Sequence, residues 1–193
     1  MDKIKQLFLV ALSTLTLYSA AAVYEKTVFA EWDKPSINVF YVLPQEVNDQ
    51  TEILFIIHGN SRNADGYIEV WANHAKDKNI ILIAPEFSRS KFSNYNTLQM
   101  SSSTGKILKN RDLYLNNSID IMFNHYKNLF GVKTDLYKIY GHSGGAQFVH
   151  RYLLMSDAPK VKTAVAANSG WYTFLDGGFA GLLALLVFLS FLG

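Results

Sequence analysis

The fold is decided by the stretch Tyr140-Gly141-His142-Ser143-Gly144-Gly145. A strand is predicted before it, from Leu136 to Tyr140, and a helix after it, from Ala146 to Met155. A serine on such a sharp strand-to-helix turn exposes its hydroxyl at the carboxyl end of a sheet, and the flanking glycines permit close packing. We interpret Ser143 as a nucleophile; the alternative is a glycine-rich turn with a capping serine.

An oxyanion site is expected beside this serine. The Gly144 N–H lies at the start of the predicted helix, where backbone N–H groups are free to bind developing negative charge. A second donor should come from the loop after an earlier strand, here His58-Gly59-Asn60, and we choose the Asn60 N–H. We expect His58 to pack beneath the sheet edge rather than take part in the chemistry.

The surrounding sequence alternates between strand and helix patterns, which indicates parallel βαβ units in an α/β fold with a mostly parallel sheet flanked by helices. The other predicted strands are Ser36–Leu43, Ile53–Ile57, Ile80–Ala84, stopped by Pro85, and Thr163–Ala167. The other predicted helices run from Asp65 to about Lys78 and from Ile119 to Phe130, ended by Gly131. Residues 86–112 lack either period and predict a long surface loop, either a substrate rim or a disordered segment.

Composition excludes several kinds of site. The chain has 193 residues, a net charge of +2 and no cysteine. Disulfides, thiolate zinc sites and cysteine nucleophiles are therefore excluded, and the small net charge gives no reason to expect nucleic-acid binding. The chemistry expected at Ser143 needs no cofactor and no metal.

Both ends of the chain are more apolar than its middle. Residues 1–22 combine basic Lys3 and Lys5, an apolar run and small residues up to Ala22, which predicts a signal peptide and an exported protein, periplasmic or extracellular. A membrane anchor is the alternative for this segment. Residues 23–176 would then form a single, partial α/β domain.

Residues 177–193 carry no charge. As a helix this segment would be about 25 Å long, the short limit for crossing a bilayer. Three interpretations stay open: an accidental ending, a short membrane helix that brings the chain into contact with a membrane, and a buried helix that covers an open core.

The stretches around the turn resemble a known family. The chain resembles the α/β-hydrolase superfamily, specifically secreted serine esterases of the polyhydroxybutyrate-depolymerase-like group, from about residue 35 to 174. The resemblance implies Ser143 as nucleophile, Gly144 and Asn60 as oxyanion donors, an ester substrate that is a small molecule or a polymer, and a sheet of eight strands. It is carried by residues 57–65, 83–88, 141–151 and 166–172.

The resemblance also implies a catalytic acid and a histidine that follow the serine, and here the chain departs from the pattern. None of its five histidines, His58, His74, His125, His142 and His150, lies beyond residue 150. Asp176 follows the last predicted strand but has no later histidine to orient. We therefore expect a C-terminally truncated fold without its late strands and a serine carboxylester hydrolase that is impaired. The alternatives are an inactive membrane-associated or binding protein, an incomplete gene product, and an acyltransferase.

Overall fold

The computed structural model describes residues 24–173. The predicted signal peptide, Asp176 and the apolar segment 177–193 lie outside the described residues, so the interpretations of these segments stay predictions. Within the described range, no helix combines the length and apolar character needed to cross a membrane.

Residues 24–173 form an α/β fold built on a six-stranded sheet with the order β1-β2-β4-β3-β5-β6. The strands are β1 (Glu25–Phe29), β2 (Ile37–Val42), β3 (Glu52–Ile57), β4 (Ile80–Glu86), β5 (Tyr137–His142) and β6 (Val161–Ala167), and the helices are α1 (Ala64–Ala75), α2 (Ser118–Phe130) and α3 (Gly144–Met155). Strands β3 to β6 run parallel to one another. Strand β2 pairs antiparallel with β4, and β1 pairs antiparallel with β2. The predicted mostly parallel sheet is confirmed.

Helices cover both faces of the sheet, and the central strand β3 shows why its sequence is continuously apolar. Ile53, Phe55 and Ile57 point into the larger core, which includes the buried residues of α2 and α3. Leu54 and Ile56 point to the opposite face, where α1 packs. Because parallel strands order their carboxyl ends along one edge, the turns after β3 and β5 meet there.

Helix α2 ends as its sequence predicts. Gly131 has φ 68° and donates its backbone N–H to the carbonyls of Lys127 and Asn128. A residue at this position must adopt the left-handed conformation that glycine accepts without a steric penalty.

Three differences from the prediction, at α1, β4 and β1, have a physical reason in the structure. Helix α1 ends at Ala75 rather than near Lys78, because a turn closes there before β4 begins. Strand β4 continues through Pro85: its pairing with β3 ends at Ile83, so Pro85 is bonded to β2 alone and its missing N–H costs no bond on the β3 side. Strand β1 was not predicted, because Phe29 is its single buried residue.

The segment 87–117 corrects in part the prediction of a surface loop over residues 86–112: side chains between Phe87 and Leu98 are buried, whereas residues 103–112 are mostly exposed. It contains two short 3₁₀ helices, Tyr95–Thr97 and Arg111–Leu113, and it packs into the larger core. Its buried side chains are Phe87, Phe92, Tyr95, Leu98 and Leu115. These residues are spaced irregularly along the sequence, so neither helical nor strand periodicity reveals their burial.

Candidate active site

Ser143 occupies the turn between β5 and α3. Its backbone has φ 55° and ψ −115°, a conformation that is unfavourable for a residue with a Cβ atom. The surrounding bonds hold it: the Ser143 N–H donates to Ala167 O of β6 at 2.9 Å, and Ser143 O accepts from the Gln147 N–H at 3.2 Å. The side chain is partly exposed at the carboxyl edge of the sheet.

The glycines around Ser143 are required by close backbone contacts. A Cβ on Gly141 would collide with the backbone of Gly145. A Cβ on Gly145 would collide with the carbonyl oxygens of Ile57 and His58 at the end of β3. These two positions press the start of α3 against the loop that follows β3.

That loop brings Asn60 to the serine turn. A Cβ on Gly144 would collide with Asn60 Oδ1, and a Cβ on Gly59 would lie 3.6 Å from Ser143 Cβ. The structure therefore places Ser143, Gly144 and Asn60 side by side, although they come from two separate stretches of sequence. Their catalytic roles stay predictions.

His58 supports the loop from below. Its side chain is fully buried, Nε2 accepts from the Phe87 N–H at 3.0 Å, and Nδ1 therefore carries the proton and donates to Gly59 O at 2.8 Å. Burial lowers the pKa of His58 to about 4, so the ring is neutral at pH 7. The expectation that His58 packs beneath the sheet edge is confirmed.

Tyr95 and Arg62 hold the same loop and were missed by the sequence analysis. Tyr95 Oη donates to His58 O at 2.8 Å, and the Arg62 guanidinium lies 4.0 Å from the Tyr95 ring centre. Arg62 also donates to the carbonyls of Phe87, Phe92 and Ser93. No periodic signal marks Tyr95, whereas Arg62 lies within residues 57–65, which carry the family resemblance.

Two more histidines lie near the turn, and both are engaged elsewhere. His142 Nδ1 and Tyr67 Oη share a hydrogen bond of 2.7 Å. His150 Nδ1 donates to Ala146 O at 3.1 Å while Nε2 accepts from the Thr173 N–H at 2.9 Å, and burial lowers the pKa of His150.

The two remaining histidines lie on other helices. His74 is exposed on α1, and His125 on α2 packs against Phe29. Across residues 24–173, no histidine hydrogen bonds to Ser143 Oγ, and no three His, Asp or Glu side chains group as metal ligands. The site is therefore built by backbone geometry, with Ser143 as the candidate nucleophile beside the His58–Asn60 loop.

Solved structures share this arrangement of strands and helices. A poly(aspartic acid) hydrolase from Sphingomonas sp. KT-1 is 36% identical with a TM-score of 0.73, over 79% of this chain and 59% of that protein. A poly(3-hydroxybutyrate) depolymerase from Bordetella parapertussis has a TM-score of 0.68 at 21% identity, over 78% of this chain and 53% of that protein. The chain has the α/β-hydrolase fold. The predicted resemblance to esterases and depolymerases of this fold is confirmed.

A thermostable esterase shares the α/β-hydrolase fold at lower similarity, with a TM-score of 0.55 and 18% identity over 74% of this chain and 40% of that protein. No protein-family model matches the sequence, and no curated protein matches it. The chain spans 59% and 53% of the lengths of the poly(aspartic acid) hydrolase and the poly(3-hydroxybutyrate) depolymerase.

Proposed function

We propose that this α/β-hydrolase cleaves carboxylic esters with Ser143 as its nucleophile. The observation that carries the proposal is the strained Ser143 backbone on the β5–α3 turn, packed against the Asn60 loop. In the proposed reaction Ser143 Oγ attacks the ester carbonyl, and the backbone N–H groups of Gly144 and Asn60 stabilise the oxyanion. Collapse of this intermediate releases the alcohol, and water then hydrolyses the acyl-enzyme.

We infer that proton transfer lacks a base, because no histidine among residues 24–173 hydrogen bonds to Ser143 Oγ. A serine hydroxyl without a base is a weak nucleophile, and removal of triad members elsewhere leaves roughly 10³- to 10⁴-fold catalysis over water. We therefore expect turnover far below that of an enzyme with a complete triad. Binding of an acyl compound, in contrast, requires only the surfaces around Ser143.

The substrate class is inferred from the related structures. The named activities of the two solved relatives are hydrolysis of poly(aspartic acid) and of poly(3-hydroxybutyrate). An ester of a small or polymeric acid is our first candidate. The 36% identity to the poly(aspartic acid) hydrolase favours an amide of such an acid as the second.

Labelling of Ser143 by a fluorophosphonate tests the nucleophile. We expect slow labelling of the full chain at Ser143, faster when imidazole is added, and loss of labelling in Ser143→Ala. Labelling should be unchanged in the control Ser103→Ala, which removes an exposed hydroxyl far along the chain from the loop. Mass spectrometry of the labelled peptide identifies the serine. Absence of label on folded protein would refute the proposal.

Rescue by imidazole tests the proposed lack of a base. Added imidazole should accelerate 4-nitrophenyl butyrate hydrolysis by the full chain beyond the rate with Ser143→Ala, which measures hydrolysis by imidazole itself. The difference should rise with the fraction of neutral imidazole, because the neutral form accepts the proton. Fast hydrolysis without imidazole would show that Ser143 already has a base.

A further inference from the structure

Arg89 lies at the rim of the candidate active site. Its Nη2 donates to Asn60 O at 3.1 Å, and the Asn60 side chain in turn lies against Gly144. Arg89 is exposed, and through Asn60 it lies one residue away from Gly144, the neighbour of Ser143.

The Arg89 charge has no acidic partner in the described part of the chain. The ion pairs found there join other residues, and the bond to Asn60 O uses one of the five N–H donors of a guanidinium. The neighbouring Arg62 donates through Nη1 and Nη2 to backbone carbonyls and adds a second positive charge to the same region. The rim is therefore positive, with donors that still point to solvent.

We propose that Arg89 binds a carboxylate of the substrate beside the acyl group that Ser143 attacks, so that the site prefers acyl compounds carrying a negative charge. This inference rests on the proposed function and deepens it. A planar guanidinium matches a carboxylate with two parallel hydrogen bonds, which a neutral ester cannot form. A role limited to holding Asn60 would instead affect neutral and anionic compounds alike.

Binding to Ser143→Ala protein separates this inference from catalysis, because that variant cannot turn over the probe. The probes are monomethyl succinate, which carries a carboxylate, and dimethyl succinate, which is neutral; ligand-observed NMR gives both dissociation constants. We expect the monoester to bind about tenfold more tightly, a difference of about 1.4 kcal/mol. Arg89→Gln should abolish the preference, and Arg89→Lys should keep part of it.

Lys78→Gln is the matched control, since it removes an exposed positive charge just before β4, at the opposite edge of the sheet. It should leave the preference unchanged. Equal dissociation constants for the two esters, failure of both to bind, or a preference that survives Arg89→Gln would overturn the inference. If the full chain neither hydrolyses esters nor is labelled at Ser143, while the preference for the monoester is still measured, the proposed function is overturned and Arg89 remains an anion-binding residue.

Discussion

The β5–α3 turn and the segment 87–117 both pack against the His58–Asn60 loop, yet they reach it in different ways. The turn is a short stretch whose glycines permit contacts that any side chain would block. The segment is long and irregular, and it is held by aromatic side chains such as Phe87 and Tyr95, which pack on Phe148 of α3.

The two regions therefore do different things for the candidate active site. The turn fixes the position of Ser143 through the backbone, so its sequence is readable as a motif. The segment holds the His58–Asn60 loop through the Tyr95 hydroxyl and through backbone carbonyls that accept from Arg62, contacts that depend on packing. Variants that damage one region and spare the other should therefore have distinct effects on stability and on labelling of Ser143.

The largest effect is expected from Gly145→Ala in the turn. The new methyl would collide with the backbone carbonyls of Ile57 and His58, which cannot move without shifting β3. We expect a loss of about 4 kcal/mol in the free energy of unfolding, above the ~1–3 kcal/mol typical of overpacking, together with loss of fluorophosphonate labelling. Urea denaturation followed by circular dichroism measures the first effect.

Gly66→Ala is the control for this variant. Gly66 lies inside α1, where a Cβ would approach the flexible Asn63 side chain at 3.0 Å, and alanine raises helix stability by up to about 1 kcal/mol. Equal destabilisation by the two substitutions would show that the turn is not held by backbone contact.

The second effect is a loss of stability at low pH, caused by the His58 imidazole that both regions enclose. The folded pKa of His58 is about 4, whereas the unfolded chain has the ordinary value of 6.5. As pH falls through this window the unfolded state binds the proton first, so the stability present above about pH 6.5 is lost down to about pH 4. This linkage amounts to about 3 kcal/mol in total.

NMR titration of the His58 ring measures this pKa directly, and denaturation at several pH values measures its effect on stability. His150, whose pKa burial also lowers, contributes in the same direction. The part due to His58 is therefore the difference between the full chain and His58→Gln. A His58 ring that titrates near pH 6.5 would contradict the buried, neutral state.

The smallest effect is expected from Tyr95→Phe in the segment 87–117. The variant keeps the packed ring and removes the hydrogen bond to His58 O, so we expect a loss of about 1 kcal/mol in stability. Because the His58–Asn60 loop loses a support, labelling of Ser143 should slow about fivefold, the factor that corresponds to ~1 kcal/mol.

Tyr114→Phe is the matched control, since Tyr114 Oη donates to Leu108 O at 2.6 Å within the same segment. It should cost similar stability and leave the labelling rate unchanged. Equal slowing of labelling in both variants would show that the segment acts through general stability rather than through the His58–Asn60 loop.

The sequence predicted the central strands, the three helices and the residues of the serine turn, because hydrophobic periodicity and glycine patterns express local backbone requirements. It missed β1, whose pairing with β2 depends on backbone hydrogen bonds rather than on buried side chains. It also predicted that β4 ends before Pro85. The strand continues, because the N–H that proline lacks would face β3, whose pairing with β4 already ends at Ile83.

By itself the sequence determined that a serine stands on a strand-to-helix turn and that an asparagine follows an earlier strand. The tertiary structure decided that these residues meet, and that Tyr95, Arg62 and Arg89 surround their loop. The physical reason is the range of the interactions. The serine motif is a run of adjacent residues, whereas the groups that support and charge the site are distant in sequence, and only packing brings them together.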